Sequence, residues 1–218
     1  MKIYTPDACT PWRLVSMSVG IYYADGVAEA ALIDIGLKRA LSGVAVSDYV
    51  KFVSKVKARL RADTYYIIVP DAYNSFDGTY KNWLKYAPAL KRHGELVYVA
   101  QEFKLPREWG SVEPALIALP AHSQFYRNCF REPNYCAANI MRFMAQYNGG
   151  IPLHLLGPVK AVLLQLKRWG YLDRIVSFDT ASYRRAPNKK AKEMLGGKWQ
   201  VVKGLECAWF QEWIRGLI

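Results

Sequence analysis

No two cysteines in this chain stand close enough to form a Cys-x-x-Cys pair: Cys9, Cys129, Cys136 and Cys207 are scattered along 218 residues. That spacing excludes a zinc knuckle and a thioredoxin-like redox site. It predicts core or incidental thiols in a reducing compartment. Histidine is scarce too, at three residues, so no clustered Cys/His set offers a metal centre, and neither metal nor cofactor is expected. No apolar run approaches the roughly 20 residues that cross a bilayer. The first residues, Met-Lys-Ile-Tyr-Thr-Pro, lack the charged-then-apolar layout of a signal peptide. The expectation is a cytoplasmic chain with no membrane partner. No Gly/Ser linker, repeat or low-complexity tract divides the sequence, which predicts one domain over residues 1–218.

Acidic residues are also in short supply: 18 Asp and Glu face 30 Lys and Arg, a net charge of +12. A surplus of that size points to a polyanionic partner, nucleic acid first, because each neutralised phosphate releases counterions. Solubility alone is the competing explanation. The bases gather in two places: Arg184, Arg185, Lys189, Lys190 and Lys192 form one run, and Arg127, Arg131 and Arg142 share one longer segment. The run and the first two of those arginines are the candidate phosphate contacts.

What the chain does have is a series of short apolar runs that end in polar residues. Asp173-Arg-Ile-Val-Ser-Phe-Asp179-Thr-Ala-Ser-Tyr183 reads as a buried strand that delivers one carboxylate into a turn of small residues. Helix capping by Asp179 is the bland alternative. The pattern recurs, however: Ala30-Ala-Leu-Ile-Asp34 and Tyr65-Tyr-Ile-Ile-Val-Pro-Asp71 also end in Asp. Further strands are expected at 14–23, 95–102 (ending in Gln101 and Glu102), 116–119 (closed by Pro120-Ala-His122), 151–156 and 199–202. Amphipathic helices are expected at 47–60, from 79 to 93 with Pro88 ending or kinking it early, from about 135, at 159–169, and from about 205 to 217.

About eight strands alternating with helical or irregular crossovers match an α/β fold, a single (β/α)8 TIM-like barrel with some helices short or missing, particularly after the strands at 95–102 and 175–179. A doubly wound open sheet is the alternative. In a barrel the strand ends share one mouth, so Asp34, Asp71, Glu102, His122, His154 and Asp179 would converge there. Three carboxylates so placed are costly to bury unpaired and mark a polar pocket. Pairing with arginines or helix caps is the alternative for the set, and a satisfied core histidine is the alternative for His154.

Leu-Ile-Asp34 with Gly36, Ile-Val-Pro-Asp71, and His154-Leu-Leu-Gly157 ahead of Ser-Phe-Asp179-Thr resemble, in order and spacing, the tRNA-guanine transglycosylase superfamily. The likeness runs from about residue 28 to 188 and is closest to compact archaeal and viral members, including the DNA-guanine transglycosylase relatives. The resemblance implies a barrel enzyme that exchanges guanine in tRNA or DNA for a free modified base of the 7-deazaguanine type. It implies Asp179 as the nucleophile on the sugar, Asp34 as the acid/base carboxylate and Asp71 as the reader of the purine edge. Glu102, His122, His154, Leu156 and Gly157 complete the expected base site, Leu156 as an apolar wall. Chemically, a carboxylate can trap an oxocarbenium-like sugar covalently, and the departing purine needs a proton. The chain departs from the family where Ile35-Gly-Leu-Lys38 follows the first Asp, where Pro120-Ala-His122 replaces a Gly-Gly turn, and in lacking the Cys-rich zinc subdomain. Hydrolytic base removal at the same site and a degenerate, basic nucleic-acid-binding barrel are the alternatives. The sequence does not set the oligomeric state.

Overall fold

A computed structural model of the chain describes residues 1–5, 9–17, 25–36, 42–121, 132–180, 206–215 and 217. Its strands are β1 (Lys2–Tyr4), β2 (Trp12–Ser16), β3 (Gly26–Asp34), β4 (Leu60–Ile68), β5 (Glu95–Val99), β6 (Leu116–Pro120), β7 (Leu153–Leu156) and β8 (Ile175–Asp179). The described helices are α1 (Val46–Arg59), α2 (Phe76–Leu90), α3 (Pro133–Gln146), α4 (Lys160–Arg168) and α5 (Glu206–Ile214).

All strand pairs are parallel, in the spatial order β1-β8-β7-β6-β5-β4-β3-β2. The two ends of that order meet at a parallel bridge between Thr5 and Arg13. There the Leu14 N–H donates to the Thr5 carbonyl at 2.8 Å and the Thr5 N–H to the Trp12 carbonyl at 3.3 Å. The result is a nearly closed, TIM-like (β/α)8 barrel.

Alternation along each strand divides the apolar residues between two cores. Tyr4, Ala30, Leu32, Ile68, Val97, Val99, Leu116 and Ala118 fill the barrel. Ile3, Ala31, Ile33, Ile67, Leu96, Tyr98, Ile117, Leu119, Leu155 and Phe178 face outward under the helices. This two-sided burial is why the strands read as unbroken apolar runs rather than alternating ones. Helix α1 turns Tyr49, Phe52, Val53 and Val56 onto that outer layer, with Asp48 in its first turn and Lys57 and Arg59 in its last, the charge order its dipole favours. It passes into β4 at Leu60 without a loop.

Several boundaries differ from expectation. The strand expected at 14–23 is β2, ending at Ser16; residues 18–24 lie outside the described ones. β1 was not expected at all, yet it closes the barrel, so the eight strands are complete without 199–202, which also lies outside the described residues. Helix α2 begins a turn early because Ser75 caps it, its hydroxyl accepting from the Gly78 N–H at 3.0 Å. Nor does Pro88 end it. The helix runs on to Leu90, since Ala87 and Leu90 on either side are both buried and hold the last turn against the barrel. Among the described residues no α-helix follows β1, β2 or β5; only a 3-10 turn, Gln101–Phe103, follows β5.

The expectation of free thiols is corrected. Cys9, in the β1–β2 connection, is disulfide-bonded to Cys207 at the start of α5, with Cα atoms 4.8 Å apart. Cys136 is disulfide-bonded as well, and no described cysteine is free. The cysteines therefore do not support a reducing compartment. The bridge fastens α5 beside β8 and β1, where Phe210, Ile214 and Leu217 are buried and Trp213 lies against Phe178.

Candidate active site at the barrel mouth

The parallel arrangement puts every strand's carboxyl end on one rim. Asp34 is the last residue of β3, Asp179 the last of β8, and Asp71 stands three residues beyond β4. Asp34 receives backbone N–H groups from Gly36 and Ile35, which favour its anion. Burial outweighs them, and with the charges of Asp71 and Asp179 nearby it pushes the Asp34 carboxyl up to about 7. That influence on Asp34 ties the three carboxylates into one site, although three described α-helices and more than 100 residues separate Asp71 from Asp179 in the chain.

Asp71 is buried, and burial raises its pKa; a hydrogen bond from Gln101 and one from its own backbone pull it back. The Gln101 amide donates to Asp71 Oδ2 at 2.5 Å. Beneath both acids, the Tyr49 hydroxyl on α1 donates to the Ile68 carbonyl at 2.8 Å and lies 3.3 Å from that of Ile33, holding the ends of β3 and β4 together. Burial, then the charges of Asp34 and Asp71, raise that phenol well above its ordinary value.

Asp179 Oδ1 accepts from the Gly157 N–H at 2.9 Å and lies 3.1 Å from His154 Nε2. Gly157 has φ 62°, a left-handed turn that suits glycine and aims its N–H back across β7 at the acid. His154 is fully buried, and its Nδ1 is 2.9 Å from the Ser177 hydroxyl. Leu156 stands half-buried at the rim of the inner core.

The structure thus brings together Asp34, Asp71, Asp179, His154, Gly157 and Leu156. It does not bring in Glu102, which is exposed and paired with Lys104 at 2.9 Å. Glu102 and Phe103 have φ of 56° and 52°, and this reversal leaves Gln101 facing the site while Glu102 faces solvent. Sequence reasoning placed Gln101 and Glu102 at this strand's end and chose Glu102 for the site, although the alternation of Val97 and Val99 into the barrel, continued by two, points to residue 101. His122, Arg127, Arg131, Arg184, Arg185, Lys189, Lys190 and Lys192 lie outside the described residues. Arg142 is exposed on α3.

Among the described residues no group of three or more His, Cys, Asp or Glu side chains is arranged to hold a metal ion, and no helix is long and apolar enough to cross a membrane. Fold and site together define an α/β barrel with a carboxylate-lined mouth, a place where that architecture carries chemistry. No family model, curated protein or solved structure matches the chain.

Proposed function

We propose that this chain is a nucleic-acid guanine transglycosylase, exchanging guanine in a polynucleotide for a free 7-deazaguanine-type base through a covalent carboxylate–sugar intermediate. The observation that carries the reading is the convergence of Asp34, Asp71 and Asp179, in unlike surroundings, on one rim. An Asp34 carboxyl titrating near 7 keeps its proton in about half of the molecules at neutral pH and can give it to a departing purine. Asp179, held from one side by backbone and imidazole, supplies the nucleophile. Its oxygen lone pair forms a bond to C1′ of the sugar. The C1′–N bond breaks with its electron pair going to the purine, which takes the proton from Asp34. Attack by the incoming base, whose proton returns to Asp34, releases Asp179. Asp71 accepts from the purine N1–H and N2–H, and the second amide N–H of Gln101 is the donor proposed for O6, a donor and acceptor set that rejects adenine. The +12 charge serves the polyanionic partner.

The test is incubation with tRNA or duplex DNA and labelled guanine, followed by mass spectrometry of the nucleosides. Incorporation is expected, with Asp179→Asn reducing it by at least about a hundredfold. Release of base without incorporation would make the chain a glycosylase instead, and no change in either polymer would overturn the reading.

A further inference from the structure

We propose that His154 is the positioning residue for Asp179, fixing the carboxylate so that Oδ2 alone is the attacking oxygen. The inference rests on the base-exchange reading. Among the described residues, both hydrogen bonds of the Asp179 carboxylate fall on Oδ1: Gly157 N–H at 2.9 Å and His154 Nε2 at 3.1 Å. Among the described residues none falls on Oδ2. The imidazole is itself held on three sides. Ser177 Oγ meets Nδ1 at 2.9 Å, Asp179 meets Nε2, and the Tyr4 ring lies edge-on with centroids 6.1 Å apart. Among the described residues the Tyr4 hydroxyl has no hydrogen-bond partner, and Tyr4 meets His154 through its ring.

Topology explains the rigidity. Ser177 and Asp179 lie two apart on β8 and point the same way, and His154 on β7 is in register with Ser177. A Ser177 O–H donating to Nδ1 leaves the proton on Nε2, where it donates to Asp179. A neutral imidazole is enough.

In the reaction, Oδ2 bonds to C1′ while the C1′–N electron pair leaves with the protonated base, and Oδ1 becomes the ester carbonyl. Both donors can stay on Oδ1 throughout. Their contribution is to hold the carboxylate plane and aim Oδ2, which acts on turnover rather than on base affinity.

The experiment compares two variants of similar size. His154→Gln keeps an N–H donor near the place of Nε2; His154→Asn reaches only toward Ser177. Relative to wild type, His154→Asn is expected to lose about tenfold to a hundredfold in kcat, the effect of one hydrogen bond to a charged group, with KM for guanine nearly unchanged. His154→Gln recovers most of that loss. Equal kcat losses in the two variants, or an effect confined to KM, would overturn the inference while base exchange stands. A wild-type chain that exchanges no base would sink both. A readout that needs neither variant is the 15N spectrum of the histidine rings. It should show His154 protonated at Nε2, with that resonance displaced in Asp179→Asn; identical spectra would refute the contact.

Discussion

The side-chain amide of Gln101 donates to Asp71 Oδ2 across the β4–β5 side of the barrel mouth. Asp71 is thereby a buried acceptor whose orientation is set by a neutral neighbour, and among the described residues it has no ion pair. Asp71→Asn turns one acceptor into a donor facing the purine's own donors. It should weaken guanine recognition by about tenfold or more, the usual scale for an unsatisfied buried polar contact, and leave polymer binding nearly unchanged. Base-competition assays beside filter-binding titrations separate the two; matching losses would make Asp71 a structural residue.

Asp34 makes both activity and stability depend on pH. Its carboxyl moves from 3.8 to about 7 on folding, so between those values the folded chain binds more protons than the unfolded one. Its contribution to stability is whole below about pH 4 and is lost as the pH rises through 7. Asp34→Asn does not titrate and should gain on wild type by about 2–4 kcal/mol between pH 4 and pH 8, the upper figure being the full shift at 1.36 kcal/mol per unit. Denaturant titrations at the two pH values measure this. In the same window, wild-type kcat/KM should fall above about pH 7 as the acid loses its proton. Parallel stability curves for the two proteins would mean that Asp34 is an ordinary rim carboxylate.

The Cys9–Cys207 bridge spans 198 residues and fastens α5 beside the β1–β2 closure. Cross-links over long loops restrict the unfolded chain most. Cys207→Ser, with Cys207 exposed in the native state, should cost about 2–5 kcal/mol, which lowers the melting temperature by about 4–20 °C at roughly 2–4 °C per kcal/mol for this size. Calorimetry with and without reductant checks it, and a reductant-insensitive wild type would contradict it.

Local patterns in the sequence determined most of the barrel: apolar runs of strand length, amphipathic spacing such as that of α1, and a carboxylate at the end of β3, beyond β4 and at the end of β8. These are legible because burial on both faces of a parallel strand, and on one face of a helix, constrains residues close together in the chain. Asp34, Asp71 and Asp179 were legible for the same reason, and a parallel barrel necessarily gathers such ends. What the tertiary structure alone decided are the contacts that need closure. β1 is three residues long and pairs with β8 at the far end of the described barrel, Tyr4 opposite Asp179, so no local window carries its signal. Cys9 and Cys207 become neighbours only when that seam forms. Gln101 rather than Glu102 enters the site because two left-handed residues reverse the chain after β5. The Asp34 carboxyl is pushed up first by burial, which only the folded barrel supplies, and then by the charges of Asp71 and Asp179, distant in sequence. Propensity and periodicity act between near neighbours, whereas register, cross-linking and charge coupling act between residues that only the closed barrel brings together.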